Sequence, residues 1–340
     1  MGNMLGFNDP ITRTQNGKDE TGRLKFGSSS VQGWRIDMED AHVQILAVNG
    51  NEEISFFAVF DGHGGSDVAY YAKENLSKRI LLHPRFREGR FADAIQQAVM
   101  QLDQEMFNLE NGPDVDKYDL AGSTAVLLLI HRNRIFCGNV GDSRAVASVA
   151  GHALDLSTDH KPSSPDEAFR ITSAGGFVEG NRVNGNLALS RALGDFFFKR
   201  NEHKSLEDQV ITAFPDVVAQ DMTDSWEFVV MACDGIWDVM TSAEVIEFVR
   251  ERIAESLPPD QICEDLVLHC LAPDCSMGGL GCDNMTVQLI CFLNRGGYGE
   301  LAVTCSKAPP AERPLPKNAE YHYLKERKGK RLQIPLIPEI

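Results

Sequence analysis

The chain has 340 residues, of which 43% are hydrophobic and 24% are charged, so it can form one large domain or two smaller ones. Acidic residues (49) outnumber basic residues (33), and the formal charge of −16 argues against a nucleic-acid-binding protein, which needs a basic surface. The apolar run at 125–130 is only as long as a strand, and we expect no transmembrane segment.

The first half of the chain is predicted to contain strands followed by two helices. A polar, glycine-rich lead at residues 1–22 is expected to be flexible. Runs rich in β-branched and aromatic residues predict strands at 24–32, 42–48 and 54–60. Apolar residues at four-residue spacing predict a helix at 66–82, and a second helix is predicted at 91–109.

The second half adds a set of hairpin strands and then further helices. The hairpin strands are predicted at 124–131, 134–140 and 144–149. A short helix is predicted at 164–174, and the charged, non-periodic segment 196–215 is predicted to be a surface flap. Thr241 and Glu244 have the spacing of a capping box, which predicts the start of a helix between the strands beginning at 226 and 285.

The order of these elements indicates the fold class. The strands come in consecutive runs and do not alternate with helices, which favours antiparallel sheets with helices packed outside them over a doubly wound fold. We therefore predict an α+β fold. From residue 307 the chain becomes proline-rich and basic, as is typical of a tail that lies on the surface or is disordered.

The eight cysteines show no paired spacing, and we predict reduced thiols in a cytoplasmic or nuclear protein. A zinc site is not expected from His269, Cys270, Cys275 and Cys282, because this cluster lacks a close CxxC pair. Gly2 offers an acceptor for myristoylation, but Gly6 stands where serine or threonine is preferred, so membrane association through Gly2 is only a secondary expectation.

Three aspartates stand at the ends of predicted strands. Asp61 and Asp234 each follow an apolar run and precede a glycine, and Asp283 stands just before the last strand. A single Asp-Gly pair would be no more than a common turn. Three such carboxylates favour a metal site, and their hard oxygen ligands favour magnesium or manganese.

Other charged residues near these strand ends could take part in chemistry. Arg35 has the fork geometry that suits a phosphate, and the adjacent carboxylates Glu39 and Asp40 could hold metal-bound waters. By itself this segment would be a charged loop whose arginine pairs with its own acids. His63 lies two residues after Asp61, close enough to act as a proton donor.

Eight ordered motifs between residues 33 and 287 closely resemble those of the protein phosphatase 2C family. They are GWRIDMEDAH (33–42), FAVFDGHGG (57–65), AGSTAVLLLI (121–130), CGNVGDSRA (137–145), STDHKP (157–162), GNLALSRALGDF (185–196), ACDGIWDVM (232–240) and CDNMTV (282–287). Two departures are Ala121, where serine is usual, and the apolar run 196–198 at the start of the flap. Neither departure touches a metal position.

The resemblance implies a β-sandwich of two antiparallel sheets flanked by antiparallel helix pairs, in a catalytic domain spanning residues 23–295. Residues 296–340 would form a C-terminal extension. The activity implied is hydrolysis of phosphoserine and phosphothreonine in protein substrates by direct attack of a metal-bridging hydroxide. We expect a monomer with no nucleic-acid partner.

The resemblance also assigns roles to individual residues. It implies two Mn²⁺ or Mg²⁺ ions per chain and a weaker third. The residues that it places around the ions are Asp61 (bridging), Gly62 (through its carbonyl), Asp234, Asp283, Glu39 (through water), and Asp142 and Asp238 (third ion). Without the resemblance, Asp142 would be a hairpin-turn residue and Asp238 an exposed helix-start residue. Arg35 would bind the substrate phosphate and His63 would be the general acid.

Two other functions compete with this prediction. A non-catalytic member of the same fold would be expected to lose metal aspartates or the phosphate-binding arginine, and all of them are present. A phosphatase with an aspartate nucleophile needs a DxD pair at a strand end, whereas Asp61 is followed by glycine and histidine.

Overall fold

A computed structural model describes residues 10–110, 119–276, 278–293, 296–313 and 315–323, and its centre is a pair of stacked antiparallel sheets. The strands are β1 (Gln15–Glu20), β2 (Leu24–Val31), β3 (Ala41–Ile45), β4 (Ile54–Phe60), β5 (Gly62–His63), β6 (Gly122–Ser123), β7 (Ala125–His131), β8 (Arg134–Val140), β9 (Arg144–Val149), β10 (His152–Asp155), β11 (Val178–Glu179), β12 (Arg182–Val183), β13 (Leu193–Gly194), β14 (Asp216–Asp221), β15 (Trp226–Ala232), β16 (Met285–Phe292) and β17 (Lys317–His322). The helices are α1 (Asp67–Leu82), α2 (Pro84–Arg87), α3 (Phe91–Glu110), α4 (Pro165–Ser173), α5 (Asp234–Trp237), α6 (Ser242–Ala254), α7 (Pro259–Cys270) and α8 (Gly297–Cys305).

Within the described residues, each large sheet has six strands. Sheet I has the order β1-β2-β16-β15-β9-β10, and sheet II has the order β17-β14-β8-β7-β4-β3. Short strands form two smaller sheets, β11-β12 and β13-β6-β5. The predicted α+β class and the sandwich of antiparallel sheets are confirmed.

The period of two along β4 explains the layered core. Phe56, Ala58 and Phe60 pack against α1 and α3, whereas Phe57 and Val59 face sheet I. The other face of sheet I packs against α6, α7 and α8. Apolar side chains are therefore buried in three layers: between the two sheets, and between each sheet and its helices. Their burial stabilises the domain by about 25 cal/mol for each Å² of apolar surface removed from water.

Several helix ends follow from local sequence. The predicted capping box is confirmed at the start of α6, where Thr241 accepts from the backbone N–H of Glu244 and the Glu244 side chain accepts from Thr241. α1 ends at His83, whose extended backbone precedes Pro84. None of the helices in the described part of the chain is both long and apolar enough to cross a membrane.

The two ends of the described chain contain regular structure that the sequence patterns did not predict. Part of the lead expected to be flexible forms β1, which pairs with β2 along its whole length. Most of its side chains are exposed, so the alternating pattern that predicts a strand is missing and the pairing is through the backbone. Helix α8 lies beyond the predicted domain boundary at 295 yet packs into the core under sheet I. Strand β17, within the predicted tail, lies on the edge of sheet II, and Gly2 lies outside the described residues.

The prediction that all cysteines are reduced is wrong for one pair. Cys275 and Cys282 form a disulfide, while the other six cysteines are free and buried. The backbone N–H of Ala272 donates to the carbonyl of Gly281, which closes the intervening loop and brings the two thiols together. This closure is not visible in the spacing of the cysteines.

The predicted flap belongs to a small lobe with its own apolar cluster. It begins with a 3₁₀ turn at Phe196–Phe198 and includes another at Leu206–Asp208. Phe198 and Ile211 pack with Ile171 of α4 and Val183 of β12. The lobe is joined to the main core through Phe196 and Ala213, which pack in the cluster between sheet II and helices α1 and α3.

Candidate metal centre

The predicted site residues converge at one end of the two sheets because of the strand directions. β4 and β8 run parallel to each other in sheet II, so Asp61 and Asp142, which follow them, lie at the same edge. In sheet I, β15 ends where β16 begins, which brings Asp234 close to Asp283. The four carboxylates thus come from both sheets and meet at the end of the sandwich.

The backbone around Asp61 is fixed by Thr124. The Asp61 N–H donates to the Thr124 hydroxyl at 3.2 Å, and the Thr124 N–H donates to the Asp61 carbonyl at 2.9 Å. The next residue, Gly62, is needed for close approach, because a Cβ there would overlap the carbonyl of Glu39. Glycine therefore lets the Glu39 loop lie against the Asp61 turn.

Asp40 places a buried carboxylate without hydrogen bonds at the centre of the site. It is 4% exposed, and neither of its carboxylate oxygens has a hydrogen-bond partner among the described residues. Ligand atoms of Asp40, Asp61 and Cys233 all lie within 4.8 Å of one another. An unpaired buried carboxylate is costly, so this group requires either protons or cations.

The electrostatics of the cluster lead to the same conclusion. Burial, followed by the charges of Asp234, Asp40 and Asp283, raises the pKa of Asp61 well above its usual range. Burial and neighbouring carboxylates, Asp142 first, do the same to the pKa of Asp234. Burial and the charge of Asp283 raise the pKa of Asp40 to about 7, although the nearby Thr286 hydroxyl and Cys233 thiol oppose this rise without forming a hydrogen bond of normal geometry. Divalent cations would remove this mutual repulsion, and all-oxygen carboxylate ligands suit Mg²⁺ or Mn²⁺, so the residues fit such ions.

Arg35 lies at the mouth of this cluster. Its guanidinium forms an ion pair with Asp283, and the two side chains are 31% and 33% exposed. The arginine therefore forms its ion pair with a carboxylate that is distant in sequence, and not with the acidic residues of its own loop. The other donors of its planar guanidinium form no hydrogen bond with the described residues.

Asn284 anchors the loop that carries Arg35 and Glu39. Its Oδ1 accepts from the Glu39 N–H at 2.9 Å, and its Nδ2 donates to the carbonyls of Gln32 and Asp37. Burial raises the pKa of Glu39, whose carboxylate lies near His63 and Arg35. Asn284 was not among the predicted site residues, although its position next to Asp283 was a usable signal.

His63 is half-buried and contacts a residue from the other half of the domain. Its Nε2 lies 2.8 Å from Oδ2 of Asp195. Burial alone would lower the pKa of His63, but the charge and hydrogen bond of Asp195 outweigh it and raise that pKa. Asp195 was quoted only as part of a motif in the sequence analysis.

Asp142 and Asp238 lie at the rim of the cluster together with Lys161. The Lys161 ammonium donates to Oδ2 of Asp142 at 2.5 Å and also experiences the charge of Asp238. Asp142 is buried, whereas Asp238 is exposed; partial desolvation beside the cluster, together with the charge of Asp142, raises the pKa of Asp238. Both aspartates were predicted site residues, whereas Lys161 was noted only as part of the STDHKP motif.

Comparisons with known proteins give consistent matches. The family profile described as Protein phosphatase 2C matches residues 24–277. A probable protein phosphatase 2C of Caenorhabditis elegans is 51% identical over 301 residues, covering 88% of this chain and 83% of the relative. Protein phosphatase 2C homolog 3 of Schizosaccharomyces pombe is 42% identical over 343 residues, covering 98% of this chain and 80% of the relative.

Solved structures match the fold. A serine-threonine phosphatase 2C from Toxoplasma gondii has a TM-score of 0.69 at 22% identity, over 82% of this chain and 99% of that one. A sex-determining protein of Caenorhabditis elegans has a TM-score of 0.68 at 26% identity, over 85% of this chain and 69% of that one.

Proposed function

Since the chain belongs to the protein phosphatase 2C family and is a metal-dependent serine/threonine phosphatase, we propose that it hydrolyses phosphoserine and phosphothreonine in proteins with Arg35 binding the phosphate and His63 acting as general acid. The observation that carries the proposal is the buried, unpartnered carboxylate of Asp40 among Asp61, Asp234 and Asp283. Such a group of like charges is stable in the ionised form only with cations beside it.

We propose that the ions are two Mn²⁺ or Mg²⁺, with a weaker third. Asp61, Asp234, Asp283 and the carbonyl of Gly62 would hold the pair, with Glu39 beside it, and Asp142 and Asp238 would hold the third. When bound, the cations would neutralise the phosphate oxygens and make a water molecule a stronger nucleophile.

The role proposed for Arg35 follows from its position at the mouth of the cleft. A guanidinium can donate two parallel hydrogen bonds to phosphate oxygens while it keeps a contact with Asp283. The phosphate would thereby be oriented with its ester oxygen away from the carboxylate cluster. The Asp283 contact limits the freedom of the arginine before substrate binds.

The role proposed for His63 follows from its neighbours. The departing serine or threonine is a poor leaving group unless a proton reaches its oxygen as the P–O bond breaks. The His63 side chain is 27% exposed, and its Nε2 is hydrogen-bonded to Asp195. An imidazolium held in this way could supply that proton.

The test is hydrolysis of a phosphothreonine peptide in EDTA, Mg²⁺ and Mn²⁺ by the wild-type protein and by Asp234→Asn. We expect turnover to require the cation and to fall by at least ~10²-fold in the variant. Asp166→Asn, an exposed aspartate on α4, is the matched control and should remain active.

The same experiment separates the competing functions. Folded wild-type protein that shows no turnover with either cation would indicate a non-catalytic binding role. Trapping of an aspartyl-phosphate would indicate an aspartate nucleophile instead of direct attack by water.

A further inference from the structure

The pairing of His63 with Asp195 fixes which nitrogen of the histidine is free. Nε2 lies 2.8 Å from a carboxylate oxygen that can only accept, so Nε2 carries a hydrogen. Among the described residues, Nδ1 has no hydrogen-bond partner. The His63 side chain is 27% exposed and the Asp195 side chain 2%, so the pair reaches from the cleft into the protein interior.

Asp195 adopts a backbone conformation that favours glycine. Its φ of 50° and ψ of 42° lie in the left-handed region, which costs roughly 1–2 kcal/mol for a residue with a side chain. Its N–H donates to the carbonyl of Ala121 at 2.8 Å, and its carbonyl accepts from the N–H of Phe198 at 3.0 Å. A carboxylate is therefore held at a position where glycine would be less strained.

The residues around the His63–Asp195 contact hold the two side chains in this arrangement. A Cβ at Gly122 would overlap both Oδ2 of Asp195 and Nε2 of His63, so glycine at 122 makes the contact possible. From behind, buried Asp103 accepts from the N–H of Gly194 at 2.9 Å and from the ammonium of Lys199 at 2.8 Å. These bonds fix the residue that precedes Asp195.

We propose that Asp195 is the positioning residue of the general acid: it accepts Nε2–H of His63 and thereby orients Nδ1 towards the leaving oxygen. The proposal rests on the proposed role of His63. Asp195 does not touch the substrate and neither gains nor loses a proton. The Nδ1 proton moves to the serine or threonine oxygen as the P–O bond breaks, and the hydrogen on Nε2 stays with the ring.

The test compares two substrates that differ in their need for a proton. A phosphothreonine peptide releases an alkoxide, whereas p-nitrophenyl phosphate releases a stable phenolate that leaves without protonation. With saturating Mn²⁺, we expect His63→Gln to lower kcat for the peptide by ~10²-fold or more and Asp195→Asn by at least ~10-fold. Both variants should keep kcat for p-nitrophenyl phosphate within about 3-fold of wild type, since general-acid catalysis contributes little there.

The control variants address backbone and charge. Asp195→Gly suits the left-handed backbone but lacks the carboxylate, so it should show the same selective loss as Asp195→Asn. Glu202→Gln makes the same carboxylate-to-amide change at an exposed position of the same segment, and it should leave kcat for both substrates unchanged. Equal losses on both substrates in the Asp195 variants would overturn the proposal by indicating a general structural effect.

Two further outcomes separate the role of Asp195 from that of His63. A selective loss in His63→Gln without one in either Asp195 variant would reject the positioning role and retain His63 as the acid. No selective loss in His63→Gln would reject the proposed acid itself. A measurement that needs no variant is ¹⁵N NMR of histidine in the wild-type protein: the neutral ring of His63 should carry its hydrogen on Nε2, and a hydrogen on Nδ1 would contradict the proposal.

Discussion

Glu167 offers a sharp test of the electrostatics that hold the small lobe to the domain. This α4 residue is 5% exposed and accepts from Arg170 at 2.7 Å, from two nitrogens of Arg191 at 2.8 and 3.0 Å, and from the Ser190 hydroxyl at 2.6 Å. Both arginines are themselves buried, at 3% and 5% exposure. Among the described residues, the other carboxylate that contacts these arginines is Asp216, which accepts from Arg191 at 2.9 Å.

Glu167→Gln keeps the size of the side chain and removes its charge. Two buried guanidinium groups would then lose their main counter-charge, and breaking a buried pair in this way costs about 3–5 kcal/mol. We expect the free energy of unfolding at pH 7 to fall by that amount, measured as a shift of the urea midpoint at unchanged slope. The matched control is Glu179→Gln, at an exposed position of β11, with an expected change below ~0.5 kcal/mol.

The pH dependence of this difference has a defined sign. Burial alone would raise the pKa of Glu167, but the charges of Arg191 and Arg170 outweigh it and lower that pKa well below 4.5. The stabilisation by the carboxylate is therefore complete above pH ~5 and is lost as the pH falls below 4.5, where the unfolded chain takes up the proton first. The gap between wild type and Glu167→Gln should shrink from pH 5 to pH 3. A loss below ~1 kcal/mol at pH 7, or a gap that does not change with pH, would refute this reasoning.

Three further predictions concern single positions. Arg35→Lys should raise KM for a phosphothreonine peptide by about 10-fold, because an ammonium cannot replace the bidentate fork; an unchanged KM would remove Arg35 from the phosphate site. Gly27→Ala should lower the free energy of unfolding by about 1–3 kcal/mol, since its Cβ would overlap the backbone of Pro259, whereas Gly299→Ala in an open part of α8 should not destabilise. Burial lowers the pKa of His42 to about 4, so about 3 kcal/mol of stability should be lost as the pH falls from 6.5 to 4. His42→Gln should weaken that dependence in acid unfolding, and an identical pH profile would contradict it.

Much of the sandwich was predictable because strong local signals agree with the tertiary structure. The apolar run at 54–60 predicts β4 to the residue, and the capping box at Thr241 predicts the start of α6. The strand-end position of Asp61 and Asp234 predicts that the two carboxylates converge, since β4 and β15 end at the same edge of the sandwich. Strands β1 and β17 were not predictable, because these edge strands have mostly exposed side chains and pair through backbone groups, which leaves no alternating pattern in the sequence.

The site residues that sequence patterns did not identify are those positioned by contacts between segments far apart in the chain. His63 and Asp195 are 132 residues apart, and the left-handed backbone at Asp195 has no signature in its residue type beyond a mild tolerance of aspartate for that region. Asn284 and Thr124 act on loops through backbone groups, which spacing does not reveal. Sequence patterns therefore identify the residues that carry charge and miss those that hold them in place.

The origin of the carboxylates in both sheets has a consequence for the lifetime of the folded protein. Over most of their area the sheets adhere through apolar side chains, but at the cleft end they meet through like charges, which push them apart when no cation lies between. Under the proposed binding, the ions would link carboxylates of the two sheets only in the folded state, so ion binding would stabilise the folded protein against unfolding. Cation supply would then govern two properties at once, the rate of dephosphorylation and the rate at which the enzyme is lost to proteases.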